Sequence, residues 1–275
     1  MVDRLFIPPS PEKPTGSSTG PDLSSVRLER FQRHIVIPEI GGAGQVALAA
    51  KHVAVIGLGG IGSPALQYLA ASGIGRFTLV DDDAVELSNL QRQTIFTARD
   101  VGHGKATSAR RWLANFDDKL DVTISDSRIS STNAGDLIAG CDLVLDGTDN
   151  FATRLAVSDA CVAERVPLVS AAVGRFQGQV GAFAGHLAGQ PCYRCFVGDA
   201  FDAEDCDTCA EDGMLGAMAG WTGSFAAMQT VRALLNGAAA LGDDPLWGQL
   251  FVLDGLEPGM RSLRIAKDPA CKGCG

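Results

Sequence analysis

The chain has 275 residues, 46% hydrophobic and 20% charged, with a formal net charge of −9 and a pI near 4.9. That length buries a full core in one or two domains, and the balance is that of a globular enzyme. Its acidity disfavours a general nucleic-acid surface, and no apolar run reaches the roughly twenty residues needed to cross a membrane.

The first residues lack a charged head followed by an apolar core, so no signal peptide is expected. Residues 8–22 (PPSPEKPTGSSTGPD) are rich in Pro, Ser, Thr and Gly and predict a disordered tail over 1–25. Residues 26–37 are amphipathic and predict a helix. Gly41, Gly42 and Gly44 mark a break, and QVALAA predicts a short helix. HVAVIG predicts a strand, residues 63–72 a helix and RFTLVD a second strand. Short apolar runs alternating with helices imply a parallel sheet covered on both faces. The alternation continues with a helix over 104–116, strands in DVTISDS and DLVLDGTDN, a helix over 151–164 and a strand in PLVSAAV. From 174 the texture changes. GRFQGQVGAFAG alternates like antiparallel strands, a cysteine- and acid-rich loop covers 189–212, and residues 214–236 predict a deeply packed helix. QLFVLDG and MRSLRIA predict two last strands before the terminal CKGCG. The fold class is therefore α/β: a Rossmann-like, doubly wound, mostly parallel sheet with an antiparallel C-terminal extension.

Gly57, Gly59 and Gly62 fit G-x-G-x-x-G between a strand and a helix. Such glycines let the backbone turn tightly and approach phosphate at the positive end of a helix. Asp81 ends the next strand, about twenty residues on, where a carboxylate accepts ribose hydroxyls. Alone, this predicts an NAD enzyme. The next segment, SNLQRQ at 88–93, changes that expectation. Gly104 and Lys105 then open a helix, and Asp146, Gly147, Thr148, Asp149 and Asn150 end a strand at the same sheet edge. Ligands bind at the carboxyl ends of such strands. Arg92, Lys105 and Asp149 can thus converge on one crevice. Two cations and an acid suit a polyphosphate with Mg²⁺ better than a nicotinamide, since Mg²⁺ keeps its waters and takes few carboxylates.

Eight cysteines in an α/β chain of cytosolic character point to metal or catalytic thiols rather than a disulfide framework, and to a cytoplasmic location. Three C-x-x-C pairs occur: Cys192/Cys195, Cys206/Cys209 and Cys271/Cys274. Structural zinc takes four thiolates, hence two pairs, whereas a single pair is also compatible with redox chemistry. Cys141 and Cys161 lie in apolar context and read as core.

The segments RFQRHIVIPEIGGAGQ, VIGLGGIGSP, LVDDDAVELSNLQRQ, GHGKATSA, LDGTDN, PCYRC and CKGC together resemble the ThiF/MoeB/HesA group of bacterial E1-like activating enzymes. The likeness runs from about residue 27 to the C-terminus. It implies one E1-like adenylation domain over 26–275, with a nucleotide-binding half at 26–172 and a carrier-binding and zinc half at 173–275. It also implies ATP-dependent adenylation of the C-terminal glycine of a small ubiquitin-like sulfur carrier ending in Gly-Gly, with sulfur supplied by a separate donor. By the same resemblance Gly60 lies against the phosphates with Gly57, Gly59 and Gly62, and Asp81 on the ribose, with Asp83 beside it. Ser88, Asn89, Leu90, Gln91, Arg92 and Lys105 line the nucleotide. Asp149 binds Mg²⁺ with Asn150 next to it, and Arg33 reaches across a homodimer to the partner's ATP. Zinc falls to Cys192, Cys195, Cys271 and Cys274. Cys209 stands where relatives carry an acceptor thiol for a thioester or acyl disulfide. A Cys206–Cys209 disulfide, or replacement of a zinc pair by these two, is the competing idea.

The implied chemistry agrees with the residue types. A glycine carboxylate is ionised at neutral pH, with an ordinary pKa of about 3.5, so no general base is required. Two anions must be brought together, which calls for fixed positive charge and positioning. Two other readings compete. An NAD(P)-dependent oxidoreductase shares the glycine turn, but SNLQRQ and Lys105 argue against it. A non-catalytic carrier-docking module is opposed by the intact Arg33, Arg92, Lys105 and Asp149. Elsewhere, His34 reads as packed or hydrogen-bonded, and Trp221, Phe225 and Met228 as a core stripe with some of it available to a dimer partner. Arg154 is placed to orient Asp149, and the 174–179 segment to line a channel for the carrier's tail.

Overall fold

The computed structural model describes residues 24–198, 213–236 and 246–275. The predicted tail up to residue 23, and Cys206 and Cys209, lie outside the described residues.

A single eight-stranded sheet organises the chain, in the order β3-β2-β1-β4-β5-β6-β7-β8. Its strands are β1 (His52–Ile56), β2 (Arg76–Val80), β3 (Asp121–Ser125), β4 (Leu143–Asp146), β5 (Leu168–Gly174), β6 (Gln177–Phe183), β7 (Gln249–Asp254) and β8 (Gly259–Arg264). The first five run parallel and the last three pairings are antiparallel. The helices are α1 (Ser25–Ile35), α2 (Gly41–Ala49), α3 (Gly62–Ala71), α4 (Lys105–Phe116), α5 (Ala134–Ile138), α6 (Phe151–Ala163), α7 (Tyr193–Val197) and α8 (Gly216–Leu235).

The central strands are apolar on both faces because helices cover both. Val53, Val55, Leu143 and Leu145 join one cluster with α3, α4 and α8, while Ala54, Ile56 and Val144 join another with α5 and α6. Helices α3 and α8 approach unusually closely. A Cβ on Gly223 would stand 2.5 Å from the Ile61 carbonyl oxygen, so this crossing needs glycine. The order reverses direction between β1 and β4, which opens the crevice at their carboxyl ends where ligands bind in such sheets.

Two expectations are corrected by the fold. The break assigned to Gly41, Gly42 and Gly44 falls at 36–40 instead, and those glycines lie in α2. The change of texture read from 174 onward marks the start of the antiparallel part of the sheet, as expected. It falls inside β5, which pairs along its whole length with β6 through a two-residue turn at Arg175 and Phe176. Arg175 takes a φ of +48°, as the twist of a tight hairpin demands. The apolar stripe of α8 divides: Phe225 packs edge-on against Phe251 at 5.1 Å, whereas Trp221 and Met228 are exposed. Cys141 and Cys161 are buried, and His34 stacks on Phe31 and bonds Gln45.

Candidate active site and cysteine cluster

A cavity of about 520 Å³ opens at the carboxyl ends of β1, β2 and β4. Its floor is the turn between β1 and α3. Gly57 has a φ of +79° and donates to the Val80 carbonyl at 2.9 Å. The chain then doubles back so tightly that a Cβ on Gly62 would lie 1.8 Å from the Gly57 oxygen. Gly59 and Gly60 line the cavity itself. Gly62 therefore shapes the turn, and the other glycines leave room above it.

Asp81, at the end of β2, is buried and holds this turn. One carboxylate oxygen accepts the Leu58 N–H at 2.7 Å and the other the Asp83 N–H at 2.9 Å. Burial pushes its carboxyl above the ordinary range, against the pull of Lys105 and those two N–H groups. The Lys105 ammonium lies 2.7 Å from Asp83 and 3.9 Å from Asp81. Local pairing puts it there. Lys105 N donates to the Asp83 carbonyl, and Ala84 bridges Gly104, so the start of α4 is zipped to the end of β2. Asp83 is largely exposed and faces the cavity.

The segment after β2 turns through a short 3-10 helix (Leu87–Asn89), capped reciprocally by Glu86 and Asn89. The cavity wall takes Glu86, Asn89, Arg92 and Gln93 from this segment. Arg92 is held by a bond from its guanidinium to the Ser88 carbonyl at 3.2 Å. The structure thus divides the motif. Ser88 contributes that carbonyl, Leu90 packs against the core, and the Gln91 carbonyl lies under the start of α8 at Gly216.

From β4, Gly147, Thr148, Asp149 and Asn150 line the opposite wall. Asp146 is completely buried and fastens this loop. It accepts from Thr148 N at 3.0 Å, Thr148 Oγ1 at 2.7 Å and Ser170 Oγ at 3.2 Å. Asn150 caps α6 by accepting from Thr153 N at 3.0 Å. Asp149 stays exposed in the cavity wall. Arg154 is buried and donates to the carbonyls of Thr148 and Ala171, so it braces the loop backbone. Arg33 is exposed in the last turn of α1, outside the set lining its own chain's cavity. Lining residues that the sequence reading missed include Asp82, Glu86, Gln93, Arg128 and Tyr193. Asp82, Glu86 and Gln93 carried a signal, since they fall in LVDDDAVELSNLQRQ. The others are brought in by topology.

Cys192, Cys195, Cys271 and Cys274 form a second site, with sulfurs all within 4.8 Å of one another. Neighbouring sulfurs are 3.5 Å, 3.6 Å and 4.0 Å apart. A tetrahedral metal with bonds of about 2.3 Å sets its sulfurs about 3.8 Å apart, so the donor set fits zinc. Burial raises the Cys192 and Cys195 thiols above their ordinary pKa, so a metal that binds must displace protons. Asp268 N donates to the Cys195 sulfur at 3.4 Å, and Arg194 pairs with Asp159 through two bonds of 2.7 Å, tying α7 to α6. Tyr193, next to Cys192, lines the nucleotide-sized cavity and packs on Phe183. The cluster therefore clips the C-terminal residues to the back of that cavity. Among the described residues, no helix is long and apolar enough to cross a membrane.

Comparison with known proteins agrees with this geometry. The ThiF family model matches residues 31–273. A sulfur carrier protein adenylyltransferase of Thermus thermophilus is 39% identical over 251 residues, covering 90% of this chain and 91% of that protein. The molybdopterin-synthase adenylyltransferase of Escherichia coli K12 is 37% identical over 254 residues, covering 92% of this chain and 99% of that one. Among solved structures, E. coli MccB with MccA-N7isoASN superposes with a TM-score of 0.77 at 20% identity, covering 90% of this chain and 75% of that one, which shows the shared fold. The crevice at the β1–β4 reversal, the four-cysteine cluster and a match over nearly the whole length lead to one conclusion: the chain belongs to the ThiF family.

Proposed function

We propose that this chain is an adenylyltransferase that transfers AMP from ATP to the C-terminal glycine carboxylate of a small ubiquitin-like sulfur carrier ending in Gly-Gly. One observation carries the reading: Arg92, Lys105 and Asp149 come from three separate segments and meet in one cavity above a glycine turn. The relative named as a sulfur carrier protein adenylyltransferase supports it.

A carboxylate oxygen of the carrier attacks the α-phosphorus. The bond from that phosphorus to the bridging oxygen breaks, and pyrophosphate leaves with the electron pair. No proton moves, so the site has to hold anions together rather than supply a base. Lys105 is a buried cation in the wall, and Arg92 a half-buried one held at the rim by the Ser88 carbonyl. The backbone N–H groups of the turn face the phosphates at the start of α3. Asp81 keeps the turn in shape, and Asp83 competes with the nucleotide for Lys105 until ATP arrives. The exposed carboxylate of Asp149 fits a hard cation that keeps most of its waters, and Asp149 would hold Mg²⁺. When bound, that ion neutralises phosphate charge. The four thiols hold Zn²⁺ as a structural clip.

The enzyme acts in the cytoplasm as a homodimer, in which Arg33 serves the partner's nucleotide. Sulfur comes from a separate donor protein. The test is ATP–pyrophosphate exchange with a panel of Gly-Gly-ended carriers, alongside calorimetry with ATP and with NAD. Exchange that depends on one carrier supports the reading. Tight NAD binding with no exchange overturns it.

A further inference from the structure

Helix α7 belongs to both sites at once. Cys192, its N-cap, and Cys195 supply two of the four thiols of the cysteine cluster. Tyr193, between them, is buried and lines the nucleotide-sized cavity. Five residues are too few to hold a helix by themselves. The pose of α7 is therefore set by what it is fastened to.

On one side it is fastened to the C-terminal residues. The Cys192 sulfur lies 3.6 Å from that of Cys271, and the Cys195 sulfur 3.5 Å from that of Cys274. The fit is close: a Cβ on Gly185 would stand 2.5 Å from the Cys192 Cβ, and one on Gly273 would stand 3.3 Å from the Cys192 sulfur. On the other side α7 is fastened to α6. The Tyr193 ring lies 6.5 Å from the Phe151 ring, tilted by 52°. Arg194 joins Asp159, further along α6, through two bonds of 2.7 Å. Phe151 is the first residue of α6, directly follows Asp149 and Asn150, and lines the same cavity. Packed side chains thus run without a break from the thiols through Tyr193 and Phe151 to the loop that carries Asp149. A metal bound to the thiols fixes all four sulfurs relative to one another. With the metal removed, no covalent link joins them, and α7 keeps only its ring packing and a partly exposed ion pair.

We propose that the four-cysteine cluster positions the nucleotide site. Through Tyr193 and Phe151 a bound metal holds the wall that carries Asp149, so metal and ATP with Mg²⁺ bind this chain cooperatively. Tyr193 is the positioning residue, and the thiols act through it. This rests on the cavity being the ATP site proposed above. Coupling between two sites is reciprocal, so each ligand raises the affinity for the other by the same factor. A clip that only stabilises the fold has no such effect on a chain that stays folded.

The test uses the full chain, loaded with Zn²⁺ or stripped by chelation, below the melting midpoint of the stripped protein. Stripping the wild type should weaken ATP binding, measured by calorimetry with Mg²⁺ present, by about tenfold. Saturating ATP with Mg²⁺ should raise Zn²⁺ affinity by the same factor over Mg²⁺ alone, measured by competition with a chromophoric chelator. Loaded Tyr193→Ala should weaken ATP binding about as much as stripping does, and stripping it should then add less than about twofold. Tyr193→Phe keeps the ring and should restore both the affinity and the coupling. A stripped wild type that melts earlier but binds ATP within twofold of the loaded protein overturns the proposal. So does a loaded, cooperatively melting Tyr193→Ala with unchanged ATP affinity, a result that decides the matter even where the stripped protein fails to fold. A loaded wild type that binds no ATP overturns the nucleotide site itself, and the coupling with it.

Discussion

The Lys105 ammonium and the Asp83 carboxylate meet at 2.7 Å although their environments differ: 7% of the lysine side chain is exposed against 67% of the aspartate. The cation is fixed in the wall while its counter-ion is free to yield. A buried cation held this way stabilises incoming phosphate charge without reorganising. Lys105→Met should lower pyrophosphate exchange by about 10²–10³-fold, the usual loss for one such donor. Exchange within tenfold of wild type would remove Lys105 from the machinery.

Arg92→Ala and Asp149→Ala should each abolish exchange in a protein that still melts cooperatively near the wild-type temperature. Both side chains are at the cavity rim rather than in the core. Near-normal exchange by either folded variant contradicts its assignment.

The glycine turn separates shape from access. Gly62→Ala drives a Cβ into the Gly57 carbonyl and should cost about 1–3 kcal/mol or more in urea unfolding. At Gly59 the same change meets only the Gln93 amide at an ordinary contact distance. Gly59→Ala should therefore keep its stability and weaken ATP binding in calorimetry. Equal stability losses at the two positions would refute the distinction.

The four-cysteine cluster should carry one metal per chain by elemental analysis. Chelation, or Cys274→Ser, should lower the melting temperature, because the site ties the last residues to α7. Unchanged melting after complete metal loss would show that packing alone holds this end.

Asp100 provides a pH test. Burial raises its carboxyl, but Thr97 N, Thr97 Oγ1 and the Arg111 guanidinium more than offset that and hold it below the ordinary range. A depressed folded pKa gives stability that is present above the unfolded value of about 3.9 and is lost as pH falls through the folded value. Asp100→Asn should therefore flatten the decline of melting temperature below about pH 4. An identical acid limb in wild type and variant would refute the linkage.

Much of this molecule is legible along the chain. The apolar runs of β1, β2 and β4 declare a parallel sheet because both of their faces need covering. The spacing of Gly57, Gly59 and Gly62 declares the turn, and SNLQRQ, Lys105 and Asp149 follow strand ends closely enough to be assigned to one crevice. What was not legible depends on partners distant in sequence. Trp221 and Met228 look like core by their spacing and are exposed, because the covering face of α8 is used up by Phe225 and its neighbours. Arg154, whose side chain donates to the carbonyls of Thr148 and Ala171, braces the backbone of the loop that carries Asp149, contacts the sequence does not announce.

By itself, then, the sequence determined the fold class, the glycine turn and the run of cations and acids after the strand ends, while the pairing of the outer cysteines came from the family resemblance and from the fold. The features it determined are local patterns whose physical cause lies within a few residues. Tertiary structure decided which polar groups are already spent. It tied both oxygens of Asp81 to backbone N–H groups, gave Asn150 to a helix cap, and spent the Asp146 carboxylate on Thr148 and Ser170. A hydrogen bond needs its partner within about 3 Å in space. Only the folded chain sets that distance.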